Sequence, residues 1–118
     1  MKVIGIVGSR RRNTPEDFKK CLEAFLKIYE KGDTIVSGGC PRGGDRFAEI
    51  IAKHLNIPIK IHPAEWDKYG KGAGFKRNIY IAEDCDTLLA IVAPDRTGGT
   101  EDTIRKTQKL NKNIVLVD

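Results

Sequence analysis

Residues suited to metals and redox chemistry are scarce in this chain. Among 118 residues there are two histidines, three cysteines, one tryptophan and one methionine. Two histidines without carboxylates at matching spacing do not make a metal centre, so no metal is expected. Cys21, Cys40 and Cys85 are odd in number and far apart, which fits no CxxC, zinc or disulfide framework and leaves them as buried or tolerated thiols. No apolar run approaches the ~20 residues of a membrane span, which excludes a membrane-spanning helix. The opening Met1-Lys2-Val3-Ile4-Gly5 enters a strand pattern at once and leaves no room for a signal peptide, so a cytoplasmic location is the expectation.

Charge of one sign is also in modest supply. The 21 Lys and Arg exceed the 16 Asp and Glu by five. That balance excludes a strongly acidic partner-mimic, but the total alone does not indicate nucleic-acid binding. With 40% hydrophobic residues the chain is too apolar for disorder. At this length one core forms without disulfides or metal, burying somewhat over ~60% of the unfolded surface. Residues 1–118 therefore read as a single domain.

What is present is a set of short apolar runs: Val3 to Val7, Thr34 to Val36, Ile57 to Ile61, Thr87 to Val92 and Ile114 to Val117. Continuous rather than alternating apolar residues predict strands buried on both faces. Between the first two runs, Phe18, Cys21, Leu22, Phe25, Leu26 and Tyr29 recur at helical spacing, with Thr14 as N-cap, Pro15 at the first helical position and Gly32 as a stop. Further helices are predicted from about Asp45 to Asn56, from near Phe75 to Glu83, and from Thr100 to Leu110, where Thr100 is placed to cap the first turn. The expected fold is α/β: a doubly wound, mostly parallel five-stranded sheet of Rossmann-like type with helices on both faces. The pattern also leaves room for one antiparallel edge strand.

Ligands of such sheets bind beyond the carboxyl ends of the strands. Ten of the twelve glycines follow strands: Gly8, Gly38, Gly39, Gly43, Gly44, Gly70, Gly72, Gly74, Gly98 and Gly99. Turn-making alone would serve both ends of the sheet about equally. Arg10, Arg11, Arg12, Arg42, Arg46, Lys68, Lys71, Lys76, Arg77 and Arg96 crowd the same edge. Glycine lets backbone amides approach phosphate oxygens, and helix N-termini add amides and a favourable dipole. An anionic ligand is expected there.

The stretch from Ser37 to Arg46 contains Gly38, Gly39, Arg42, Gly43, Gly44 and Asp45 in a P-loop-like spacing, but it lacks the Lys-Ser/Thr of a Walker loop and is not a GxGxxG fingerprint. ATPase and ordinary dehydrogenase readings lose support. Gly8-Ser9-Arg10 offers an amide, a hydroxyl and a guanidinium, and Gly98-Gly99-Thr100 repeats the amide and hydroxyl at the last helix. Asp45 has two readings, a cap for the second helix or a ribose contact. Trp66, Tyr69 and Phe75 either stack on a base or cover the sheet edge as a satellite core. His62 ends the third strand, within reach of the site, while His54 lies on a helix. Glu65, Asp67, Glu101 and Asp102 are the acids available near the edge, although solvated first-turn acids are the commoner explanation.

In these motifs the sequence resembles the SLOG superfamily of Rossmann-like nucleotide-binding domains, most closely its YspA-like branch. The resemblance runs through Gly8-Ser9-Arg10, Ser37 to Arg46, Ala64-Glu65-Trp66 with Tyr69-Gly70, Phe75-Lys76-Arg77-Asn78 and Gly98-Gly99-Thr100. The same order of Gly-Ser-Arg, Ser-Gly and Arg-Asn elements is similar to the central domain of the DNA-processing protein A (Smf) family. The resemblance implies a site for a nucleotide or nucleotide derivative, with phosphate on the Gly38/Gly39 and Gly98/Gly99 loops and no required cofactor. A third relative, the Lonely Guy phosphoribohydrolases, uses an arginine and a glutamate to cleave a nucleotide N-glycosidic bond. Arg77 matches the arginine, but Thr103 stands where that family's glutamate would be. Glu101 and Asp102 are the substitutes at hand.

Three functions follow as expectations. The first is a small nucleotide-binding sensor or processor, expected to be a homo-oligomer. The second is a nucleotide N-glycosidase that forms an oxocarbenium-like state, with a carboxylate at the sugar and Arg77 on the phosphate. The third is a single-stranded DNA binder that uses Arg10 to Arg12.

Overall fold

The apolar runs become strands because each is flanked by helices that cover it. The structure is a computed structural model describing residues 1–118. Strands β1 (Val3–Gly8), β2 (Thr34–Ser37), β3 (Ile59–Ile61), β4 (Thr87–Ile91) and β5 (Asn113–Val117) form one sheet in the order β3-β2-β1-β4-β5. Every pairing is parallel, so the sheet has no antiparallel edge strand. Helices α1 (Pro15–Ile28), α2 (Gly44–Leu55), α4 (Ala73–Asp84) and α5 (Gly99–Lys109) join the strands, and a four-residue α3 (Trp66–Tyr69) with a 3-10 turn (Gly70–Gly72) precedes α4.

Two apolar layers hold this arrangement. On one face Ile4, Ile6, Ile35, Leu89 and Ile91 meet Cys21 and Phe25 of α1 and Phe47 and Ile51 of α2. On the other, Val7, Val36, Leu88 and Ala90 meet Ile81 of α4 and Ile104 of α5. Phe25 is fully enclosed, and such a side chain is worth about 3–5 kcal/mol relative to alanine.

The ends of the elements refine the sequence reading. At α1, Thr14 caps as expected: its hydroxyl accepts from Asp17 N, the Asp17 carboxylate accepts from Thr14 N, and Pro15 opens the helix. Asp45 does not cap α2, because Gly43 is the N-cap and the Asp45 side chain turns back toward β2. Thr100 likewise lies inside α5, whose N-cap is Gly98. Strand β3 is shorter than its apolar run, since the Ile57 amide is used in closing α2 through Ala52 O at 2.9 Å. Helix α4 begins two residues before the expected Phe75, and part of the expected loop ahead of it is α3.

Gly43 and Gly44 let α2 start directly against the end of β1. A Cβ on Gly44 would lie 2.6 Å from Val7 O, and one on Gly43 would lie 2.9 Å from Ser9 C. No side chain fits between these backbones.

Candidate functional site

The chain order reverses between β1 and β4, and beyond their carboxyl ends a cavity of about 350 Å³ opens. Val7, Gly8 and Ile81 form its base. Ser9, Arg10 and Arg11 supply one wall, Thr97, Gly98, Gly99 and Thr100 another, and Trp66, Lys71, Gly74 and Phe75 a third.

Two helices start at this cavity without a side-chain cap. Gly98 takes φ +103°, a conformation that favours glycine, and α5 follows with no side chain closing its first turn. A Cβ on Gly99 would meet no atom within 4 Å, so its backbone faces open space. The start of α4 continues from the 3-10 turn, whose Gly70 carbonyl accepts from Ala73 N, and Gly74 and Phe75 of its first turn line the cavity. The Gly99 and Thr100 amides of α5 have no acceptor in the protein, so this helix turns partial positive charge toward the cavity.

The side chains carry the same sign. Arg10, Arg11, Lys71 and Arg77 line the cavity against a single carboxylate, Asp45. Arg10 is exposed and makes no bond within the protein. Arg11 reaches across the mouth, donating to Asp95 Oδ1 at 2.6 Å, Asp95 Oδ2 at 3.0 Å and Thr97 Oγ1 at 3.1 Å. Arg77 Nη1 donates to Gly38 O at 2.7 Å and its Nε donates to Asn78 Oδ1 at 3.0 Å, which leaves Nη2 without a protein acceptor. Asn78, buried, donates in turn to Gly99 O at 3.3 Å and to Asp102 Oδ2 at 3.1 Å. This chain of bonds fixes Arg77 relative to the first turn of α5.

Asp45 is 7% exposed, and burial pushes its carboxyl up despite the opposing Cys40 amide and Arg77 charge. The geometry agrees. Ser37 Oγ has one hydrogen but two close acceptors, Ile6 O at 2.6 Å and Asp45 Oδ1 at 3.0 Å. The shorter contact is to Ile6 O, so Asp45 Oδ1 receives only a share of that hydrogen and its anion is held less firmly.

Comparison with known proteins places the chain in a family. No family model matches it, and no solved structure matches it. The Gene 61 protein of Mycobacterium phage D29 is 30% identical over 121 residues, spanning 98% of this chain and 95% of that protein. The chain belongs to that protein's family.

In this member of the phage Gene 61 family, the residues singled out in the sequence separate into two groups. Gly8, Ser9, Arg10, Asp45, Trp66, Arg77, Asn78, Gly98, Gly99 and Thr100 all line the cavity. Ser37, Gly38, Gly39, Arg42, Gly43 and Glu65 lie outside its lining. The space above Gly38 is occupied: a Cβ there would lie 2.8 Å from Asp45 Oδ2 and 2.9 Å from Arg77 Cζ. Glu101 is engaged by Arg96 Nε and Nη2, each at 2.9 Å, and Asp102 by Asn78 and Lys106. Neither acid lines the cavity. His62 is held at 2.5 Å by Asp84, away from the site.

Arg12 departs most from the expected basic rim. It is 9% exposed, with Nε donating to Asp17 Oδ1 at 2.7 Å, Nη1 to Val92 O at 2.8 Å and Nη2 to Asp118 O at 3.0 Å. The turn made by Arg12 N bonding to Ser9 O directs it inward. Thr97 and Thr103 were not singled out as ligand contacts, yet both line the cavity. Thr103 stands one turn after Gly99 and donates to its carbonyl at 3.4 Å, so helical spacing from the Gly-Gly pair is the signal that finds it.

Proposed function

We propose that this chain binds a nucleotide or nucleotide derivative in the cavity between the β1–α1 and β4–α5 connections, acting as a ligand-binding domain of SLOG type. The observation that carries the reading is the pairing of two chemistries in one space of about 350 Å³: the uncapped start of α5 with four cationic side chains, and a wall made by Trp66 and Phe75. The first suits a phosphate and the second a flat base. Anion binding falls to Gly98, Gly99, Thr100 and Arg10, with Arg77 Nη2 available from below. Trp66, 54% exposed, has its ring edge near Gly74 and is free to stack.

The glycosidase reading needs a carboxylate free to work at the sugar. Asp102 and Glu101 are engaged elsewhere, and Asp45 is enclosed by Ser37 and Cys40, so binding is the better-supported function.

Trp66 is the only tryptophan and so reports directly on the site. Titrating adenosine monophosphate should shift its emission to shorter wavelength in a saturable way, while inorganic phosphate binds with little shift. Arg10→Ala and Arg77→Ala should each weaken the nucleotide by roughly tenfold, the worth of a charge-assisted hydrogen bond. No saturable response and no rise in melting temperature across nucleoside mono- and diphosphates would overturn the proposal. Free base detected by mass spectrometry would instead support the hydrolase, and salt-dependent oligonucleotide binding the single-strand reading.

A further inference from the structure

Beside the cavity, the outer face of α4 is only lightly covered: Lys106 Nζ lies 5.6 Å from the centre of the Phe75 ring, and the His62 ring 5.5 Å from that of Tyr80. The helix buries Ala73, Asn78, Ile81 and Ala82, while Phe75, Lys76, Ile79, Tyr80 and Glu83 face outward. Phe75, Ile79 and Tyr80 are 55%, 40% and 39% exposed. A surface helix ordinarily places polar residues there, and three exposed apolar side chains on one helix face mark an interaction surface.

The strip is flanked by charges that lack ionic partners in their own chain. Lys76 has only the Tyr69 ring beneath its ammonium, at 4.9 Å, and the Glu83 carboxylate forms no salt bridge. Lys76 stands three positions before Ile79, and Glu83 three positions after Tyr80. Positions 76 and 83 are equidistant from a point midway between 79 and 80.

We propose that α4 packs antiparallel against α4 of a second copy of this chain, about a two-fold axis passing between Ile79 and Tyr80. In that register Lys76 of each copy faces Glu83 of the other, while Ile79 meets its counterpart on one side of the seam and Tyr80 its counterpart on the other. The contact is isologous, so each favourable pair occurs twice. The apolar strip supplies association and the end charges set direction, because a parallel pairing would place like charges together. The homo-oligomer expected from the sequence is then a dimer through α4. Phe75 lies at the end of the contact and in the cavity wall, so the dimer would flank both ligand sites.

Sedimentation equilibrium of the full chain, from sub-micromolar to near-millimolar concentration, tests this. The native chain should show a monomer–dimer equilibrium. Lys76→Glu and Glu83→Lys should each raise the dissociation constant about tenfold, since each change acts at two symmetric pairs. The double exchange Lys76→Glu with Glu83→Lys should restore it to within about threefold of native, as expected for a compensated pair. Both positions are exposed, and unchanged circular dichroism would confirm that the variants fold. A native chain that stays monomeric throughout, single variants that dimerise normally, or a double exchange that fails to recover would each overturn the proposal.

Discussion

Gly44 and Gly99 both open helices after strands, yet one alanine substitution should damage the fold and the other the site. At Gly44 a new methyl would lie 2.6 Å from Val7 O, which is 0.8 Å inside the 3.4 Å of ordinary contact. The obstructing atoms belong to the backbone of β1, which is held on both sides by β2 and β4. Overpacking costs about 1–3 kcal/mol where side chains can yield, and backbone places this case at the upper end. Replacing glycine by alanine in a helix returns about 0.5–1 kcal/mol. The net loss for Gly44→Ala is therefore about 2 kcal/mol. With an unfolding entropy of about 2.1 cal/mol/K per residue, a domain of this size should melt about 8 °C lower.

At Gly99 the methyl would meet nothing within 4 Å, so Gly99→Ala should melt at the native temperature or slightly above. The methyl would instead stand where a phosphate approaches the first-turn amides and should weaken nucleotide binding by roughly tenfold. Thermal unfolding followed by far-UV circular dichroism, with Trp66 titration of the same samples, measures both quantities. A Gly44→Ala protein melting within a degree or two of native would refute the packing argument. A Gly99→Ala protein that binds normally would refute the cradle.

Other expectations follow from single residues. Arg12→Ala should destabilise the fold by about 3 kcal/mol, since it removes a mostly buried charge and leaves Asp17 without its partner, whereas Arg10→Ala should leave the melting temperature unchanged. Denaturant titration of the two variants decides between a structural and a ligand-facing role. Asp45→Asn should lose less than Asp45→Ala, because an amide keeps an oxygen for Cys40 N and a polar group against Ser37 Oγ, while Asp45→Ala should lose about 2 kcal/mol. Equal loss in both would show that Asp45 is needed as an anion. Burial alone would raise the carboxyl of Asp33, but hydrogen bonds from Lys2 Nζ, Lys2 N and Glu30 N overcome it and hold it down to about 2. A folded value below the unfolded one, near ~3.9, gives stability that is present above pH ~4 and lost as the pH falls toward ~2. Native stability should drop across that window, and Asp33→Asn should flatten the drop in a pH series of melting curves.

The strands and main helices were legible because their signals are local. Five apolar runs and the Thr14-Pro15 start carry their meaning in the sequence itself. The two glycine-rich loops were legible only as a pair. Gly43-Gly44 and Gly98-Gly99 look alike along the chain, and what separates them is the facing element, β1 backbone in one case and open space in the other. Arg10 and Arg12 diverge for the same reason: a turn at Ser9 sends one outward and the other under β4 and β5. The four-residue α3 is too short to show a period. The engagement of Asp102 and Glu101 depends on Asn78 and Arg96, contacts that no spacing rule supplies.

The central position of β1 bears on how the molecule assembles. The strand precedes the other four in the chain, but its pairing with β4 joins residues more than eighty positions apart, as in the bond from Val3 N to Asp86 Oδ2. Arg12 waits longer still, for the Asp118 carbonyl. Contacts of such long range slow folding, because loop closure is costly before the contacts are rewarded. The cavity draws its walls from both partners of the β1–β4 pair, so it cannot exist in any partly folded intermediate that lacks that pairing. Recovery of Trp66-detected binding during refolding should therefore be the last signal to return, after helical circular dichroism.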